Sequence, residues 1–145
     1  MKIIIPGIPV SQARMRTRRC KSFNLTYDPC AKEKEKIRLY LRALTANDFF
    51  HYPRINFLFE MPIPKSTSKK DTTKFKNHMI KHVKKPDIDN LIKLYLDCLD
   101  GIIITGDQKV SLGFAIKIYS ETPKTIIWVQ ETPEYITQSE IYHAV

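Results

Sequence analysis

One proline-bounded block restricts the fold more than any other part of the chain. Pro86 holds Lys85 in an extended conformation, and the following residues set Leu91, Ile92, Tyr95, Leu96, Cys98 and Leu99 at helical spacing. Asp89 and Asn90 are good N-cap residues, so this spacing predicts a helix from about there to Asp100. A helix with such a stripe must bury it against another layer. Its polar residues are ordered too. Asp89, Lys93 and Asp97 recur every fourth position, with Asp100 one turn further, and so share one face. Asp87 sits just before the helix, where unpaired backbone N–H groups favour anionic side chains. After Gly101, the run from Ile102 to Thr105 reads as a strand, with Asp107 at or just past its end. A helix followed at once by a strand makes a hairpin-like unit able to return Asp107 towards Asp87 and Asp89.

Three carboxylates and a lysine in a chain of net charge +9 invite a chemical reading, because clustered Asp side chains are where a hard divalent cation binds. The plainer reading has Asp87 and Asp89 as capping carboxylates, Asp107 as a turn residue, and Asp89–Lys93–Asp97 as a surface ion-pair ladder. Spacing alone does not choose between the two.

The block from Lys85 to Tyr119 resembles the RusA-type Holliday junction resolvases, crossover junction endodeoxyribonucleases often carried by prophages. That family's pattern, Asp-x-Asp-Asn-Leu-x-x-Lys with a further Asp along the helix, stands here complete as Asp87-Ile88-Asp89-Asn90-Leu91-Ile92-Lys93, then Asp97. Its second part, Asp-Asp-x-Gln-Val, stands as Gly106-Asp107-Gln108-Lys109-Val110 and departs twice, at Gly106 and at Lys109. The resemblance implies that Asp87, Asp89, Lys93 and Asp107 are catalytic, that the three aspartates bind metal, and that the protein is a homodimer acting on branched DNA. Ile3 to Val10 is similar to the family's opening strand, and Tyr27-Asp28-Pro29 with the charged stretch after it to the next segment of its shorter variants. The departures at 106 and 109 touch neighbouring roles, metal affinity or strand positioning, rather than the constellation itself.

At 145 residues and 43% hydrophobic, the chain suits one compact domain, 1–145. No apolar run reaches the length of a membrane span and no charged-then-apolar signal segment opens it. Three cysteines without paired spacing indicate neither a disulfide framework nor a zinc site, and suit a reducing cytoplasm. Residues 1–42 hold 11 Lys/Arg against 3 Asp/Glu and residues 65–85 hold 8 against 1, whereas residues 86–145 hold 4 against 9. Basic charge in two blocks, with acidic charge around the proposed site, is the layout expected of a nuclease, with a surface that displaces counterions from phosphates and a negative pocket for metal.

Along the chain, Lys2–Ile5 reads as a strand followed by a Pro-Gly turn. Residues 12–19 lack apolar periodicity and read as a loop or arm, whose Arg14, Arg16, Arg18 and Arg19 are candidate phosphate contacts. A helix over about Pro29–Leu44 would turn Ile37, Tyr40, Leu41 and Leu44 inward. Alternating Ile55, Phe57 and Phe59 mark a strand running to Met61-Pro62-Ile63-Pro64, with Glu60 facing solvent. The basic stretch at about 65–85 reads as a mobile loop or flap that orders on DNA, with a helical portion over about Asp71–His82 and with Lys69, Lys70, Lys84 and Lys85 as DNA contacts. His78 and His82 stand four apart but lack the Glu of a metalloprotease pair, and are not assigned to metal. Val110–Tyr119 and Thr125–Gln130 read as strands, Phe114 and Trp128 as core, and the chain from about 134 as a loose tail.

The fold expected is a single α/β (α+β) domain, a mixed sheet of about four or five strands with packed helices. No Gly-rich phosphate loop is present, which argues against nucleotide hydrolysis and a nucleotide cofactor. The function expected is Mg²⁺-dependent hydrolysis, with Mn²⁺ as the other option, of four-way DNA by paired symmetrical nicks in recombination and repair, leaving 5′-phosphate ends. Two alternatives stay open: a junction-binding protein that cleaves weakly or not at all, and a flap or duplex nuclease, or a phosphatase, of the same fold.

Overall fold

The computed structural model describes residues 1–45, 49–77 and 81–135, without the side chains of Lys69, Lys70 and Lys76. Two layers form it. Strands β1 (Lys2–Pro6), β4 (Pro53–Pro62), β5 (Ser111–Ser120) and β6 (Lys124–Glu131) make a mixed sheet in the order β1-β6-β4-β5, with β4 and β5 parallel and the other pairs antiparallel. Helices α1 (Ala31–Leu44) and α3 (Ile88–Leu99) belong to the same core as its inner face, and a second sheet pairs β2 (Arg16–Arg19) with β3 (Asn24–Tyr27). A short helix α2 (Lys69–Lys76) and a 3₁₀ turn at Asp107–Lys109 complete the set.

Period-two alternation builds the inner face. Ile3 and Ile5, Ile55, Phe57, Phe59 and Met61, and Ile127 and Val129 are all buried. The Phe57 and Phe59 rings stack at 5.6 Å, and Tyr95 of α3 lies 5.7 Å from Phe59. Tyr95 is the polar fastening of this core: Thr125 Oγ1 donates to its hydroxyl at 2.8 Å and the Val10 N–H reaches it at 3.3 Å. Burial pushes the Tyr95 hydroxyl above the usual tyrosine pKa, so it stays neutral.

Several expectations change. The stretch from Ile102 to Thr105 is not a strand. Gly101 takes φ +69°, a conformation open to glycine, and the N–H groups of Ile102 and Ile103 fold back onto the Leu99 carbonyl at 3.1 and 2.9 Å. That turn tucks Ile102, Ile103 and Ile104 into the core, where a single bridge joins Ile104 to Phe50. The arm at 12–19 is partly a strand, β2, whose residues are exposed on both faces, so no alternation betrays it. In α1 only Ile37 and Leu41 of the expected stripe are buried, while Tyr40 and Leu44 face outward. Glu60 is not solvent-facing, since its side chain is 12% exposed and pairs with Lys124 at 3.4 Å. Phe114 stands on the outer sheet face, exposed, with Trp128 half-buried 6.1 Å away.

The stretch at 65–85 holds α2, begun two residues before Asp71 under a Ser68 cap whose hydroxyl accepts from the Asp71 N–H. The expected continuation through His78, and the tail beyond Tyr135, lie outside the described residues.

Leu91 and Phe57 are fully buried where α3 meets the sheet. Leu91→Ala should cost about 2–5 kcal/mol and Phe57→Ala about 3–5 kcal/mol of unfolding free energy, measured by denaturant titration.

Candidate active site

The site is organised by the N-terminal end of α3. Asp87 occupies the N-cap with extended backbone (ψ 145°), yet its carboxylate makes no capping hydrogen bond. Asp89 and Lys93, one turn apart, are exposed on the same face. Among the described residues, none of the three forms an ion pair. The ladder Asp89–Lys93–Asp97 is absent, because Asp97 is engaged elsewhere.

Two residues from other elements fix this end. Lys117 on β5 donates from Nζ to the carbonyls of Lys84 (3.0 Å) and Pro86 (2.6 Å), so one ammonium holds the irregular segment that delivers Asp87, including its cis Lys85–Pro86 peptide. From the other side, the Gln12 N–H donates to the Asn90 carbonyl at 2.8 Å, tying the chain that leads into β2 to the first turn of α3. A hollow of about 310 Å³ lies there, lined by Gln12, Arg14, Asp28, Lys34, Asn90 and Lys93.

Behind the hollow, Lys34 of α1 bridges Asp97 (2.7 Å) and Asp28 (2.9 Å). Asp28 Oδ1 also accepts from the Cys30 N–H at 2.8 Å and from Gln12 Nε2 at 3.2 Å. The Lys34 hydrogen bond, then that of Cys30, holds the Asp28 carboxyl below its usual range. Burial pulls the Lys34 ammonium down, but its bonds to Asp97 and Asp28 outweigh that and raise it. Arg38 caps the far end of α3, donating to the carbonyls of Asp97 (2.8 Å) and Asp100 (3.2 Å). Cys98 lies in the same interface, its thiol pushed up to about 11 by burial and therefore unreactive.

Asp107 stands apart from Asp87 and Asp89. The N–H of Thr105 bonds Phe50 O at 3.1 Å and Lys109 lies over the Tyr52 ring at 5.7 Å, so the 3₁₀ turn sits beside the start of β4. Asp87 sits beside Lys117, near the end of β5. Asp87 stands at the N-terminal end of the 12-residue α3, and Asp107 follows the turn that leaves its C-terminal end. In agreement, no group of three or more His, Cys, Asp or Glu among the described residues is close enough to hold a metal ion. Asp87 and Asp89 offer the hard oxygen donors a divalent cation takes, and a single chain brings two of the three expected carboxylates to one place. At Gly106 an added side chain would first meet the flexible end of Gln108, at 2.6 Å.

The candidate DNA contacts are spread over the chain leading into β2, β2 itself, α2 and the segment before Asp87. Arg14 lines the hollow, and Arg16 and Arg18 on one face of β2, with Arg19 on the other, are exposed. Lys84 and Lys85 are exposed on the segment before Asp87, and Lys69 and Lys70 open α2. Sequence reasoning passed over Lys117 and Lys34. Each carried a signal: Lys117 shares strand parity with Ala115 and buried Tyr119, and Lys34 shares the helical stripe of Ile37 and Leu41, both places where a charge needs a partner.

Lys34→Met should cost about 1–3 kcal/mol, since it leaves two half-buried carboxylates unpaired. Because the Asp28 pKa is depressed by folding, its contribution is full above the unfolded value and is lost as pH falls below about 4. The stability gap between wild type and Lys34→Met should therefore narrow in denaturant titrations carried down to acid pH.

A family model for the endodeoxyribonuclease RusA matches residues 6–130. The uncharacterized protein YqaN of Bacillus subtilis (strain 168) is 35% identical over 72 residues, 48% of this chain and 51% of that protein. The chain thus spans about half the length of this relative. The match to the family model takes in α3, its flanking segments, β4 and β5, and all of β6 but its last residue, and it reaches only Pro6 of β1. The chain belongs to the RusA endodeoxyribonuclease family.

Proposed function

We propose that the protein is a metal-dependent endodeoxyribonuclease that resolves four-way DNA junctions by paired symmetrical nicks, working as a homodimer. The observation that carries this reading is the group at the N-terminal end of α3, where Asp87, Asp89 and Lys93 stand exposed without ion pairs among the described residues, in a chain of this family.

A bound Mg²⁺ or Mn²⁺ would neutralise charge at the scissile phosphate and activate the attacking water. Asp87 and Asp89 would hold it, with Asp107 as the third carboxylate. Lys93, one turn along the same face, reaches towards the phosphate to stabilise developing negative charge or to position the water. Arg14, Arg16, Arg18 and Arg19 on one flank, and Lys69, Lys70, Lys84 and Lys85 on the other, hold the backbone of the branched DNA. Three free cysteines suit action in a reducing cytoplasm.

Two observations support a second copy. The carboxylates lie at opposite ends of α3, so in one chain the set of three is incomplete, whereas a two-fold partner can present its Asp107 end to this chain's Asp87 end. The outer sheet face also carries Ile4, Leu58, Phe114, Ile116 and Trp128 with no layer over them among the described residues, an apolar patch of the kind that marks an interaction surface. A C2 dimer sets two equivalent sites against the two equivalent strands of a junction.

The test is a labelled synthetic four-way junction incubated with Mg²⁺ or with EDTA, beside linear duplex of the same sequence. Paired nicks across the junction that require metal, and that fall at least a hundredfold in Asp87→Asn, are the expected result. Tight binding without nicking, or equal cleavage of linear duplex, would refute junction resolution.

A further inference from the structure

A second and larger cleft opens on the other side of the segment that delivers Asp87. It has a volume of about 740 Å³, within the ~300–1,000 Å³ typical of ligand pockets. Its walls are apolar, formed by Val10, Met61, Ile63 and Tyr119 with the flat rings of Pro9 and Pro62. Its rim carries three exposed lysines, Lys65, Lys84 and Lys85, none in an ion pair among the described residues. Lys85 and Pro86 line the cleft and Asp87 follows at once, so an occupant lies within a residue or two of the carboxylate.

One further feature points to an occupant. His82 lines the cleft and is 8% exposed, and its Nδ1 is buried with no hydrogen-bond partner among the described residues. Its ring packs 4.7 Å from that of Tyr119, which Phe75 meets from another direction at 4.3 Å. Burial lowers the His82 pKa, with Lys117 and Lys84 adding to the effect, so the ring is neutral and offers one donor and one acceptor nitrogen. Buried polar atoms in folded proteins are nearly always satisfied, and this one belongs to a ring that lines the cleft.

Each part of this chemistry excludes something. Three lysines exclude a cation. An apolar hollow of this depth is not needed for a phosphate alone, and a wholly apolar ligand has no use for the rim. A flat, largely apolar ring with polar edges, joined to negative charge, satisfies all of it. We propose that the cleft receives an unstacked nucleotide of the bound DNA strand, with its base between the apolar walls, the base edge towards His82, and its phosphates on Lys65, Lys84 and Lys85. This rests on the nuclease reading and adds to it: the nucleotide beside the scissile phosphate is drawn out of the stack, and the walls give the enzyme a means of preferring one base at the cut.

The experiment uses the full-length wild-type protein in EDTA and four-way junctions carrying one photoreactive thiothymidine, placed in turn beside the crossover and far along an arm. After irradiation, crosslinked peptides are mapped, with free thiothymidine monophosphate at equal concentration as the control. The expected result is a crosslink from a crossover-flanking position to residues 8–11, 61–65 or 82–86, at least tenfold above the arm position and above the free nucleotide. Bound junction that crosslinks only to other segments, or not at all, would overturn the cleft assignment while leaving the nuclease reading intact. Equal crosslinking by the free nucleotide would make it a mononucleotide pocket and overturn the strand assignment. Failure to bind the junction would remove both.

Discussion

Everything functional in this molecule hangs on the burial of one helix. Leu91, Leu94, Tyr95, Cys98 and Leu99 press α3 against the inner sheet face and α1, and each is 2% exposed or less. Burying side chains of this size contributes about 1.5–3 kcal/mol apiece. That is enough to hold a helix whose opposite face is spent on Asp89 and Lys93. Because the helix cannot rotate without exposing this stripe, its polar face and its N-terminal carboxylate have a fixed direction. Lys117 and the Gln12 N–H then fix the entry to its first turn.

The same helix ties the basic arm to the site. Lys34 joins Asp97 on α3 to Asp28, at the root of the ribbon formed by β2 and β3, and Gln12 touches both Asp28 and the first turn of α3. Arginines on an exposed two-stranded ribbon would otherwise wander relative to the carboxylates. The half-buried bridge restricts them, and its low solvent screening makes it stronger than a surface pair. Lys93 is exposed on the open side and forms no ion pair among the described residues.

Much of this was legible in the residues. The apolar stripe of α3 and the alternation in β4 follow from spacing, and the family pattern at 87–97 matches in full. What stayed hidden has physical causes. Ile102 to Thr105 reads as a strand by composition, but a glycine in the left-handed region redirects it into a buried turn, and a tertiary contact with Phe50 decides the outcome. The ribbon strand β2 buries neither face, so hydrophobic pattern cannot reveal it. Phe114 and Trp128 read as core because aromatic strand residues usually are, yet they lie on the sheet face opposite α1 and α3. The distance between Asp107 and Asp87 depends on which way the chain turns after α3, which spacing does not encode.

The central claim is that a complete site needs two chains, Asp87 and Asp89 from one and Asp107 from its partner. The most direct measurement mixes two inactive proteins, Asp87→Asn and Asp107→Asn, under conditions that exchange subunits, and assays metal-dependent nicking of a four-way junction. If the site is shared, half of the sites in each mixed dimer regain all three carboxylates, and nicking returns although neither protein cleaves alone. If each chain holds its own complete site, every site in the mixture carries one lesion and no activity returns, which would contradict the account while the wild-type protein continues to cleave.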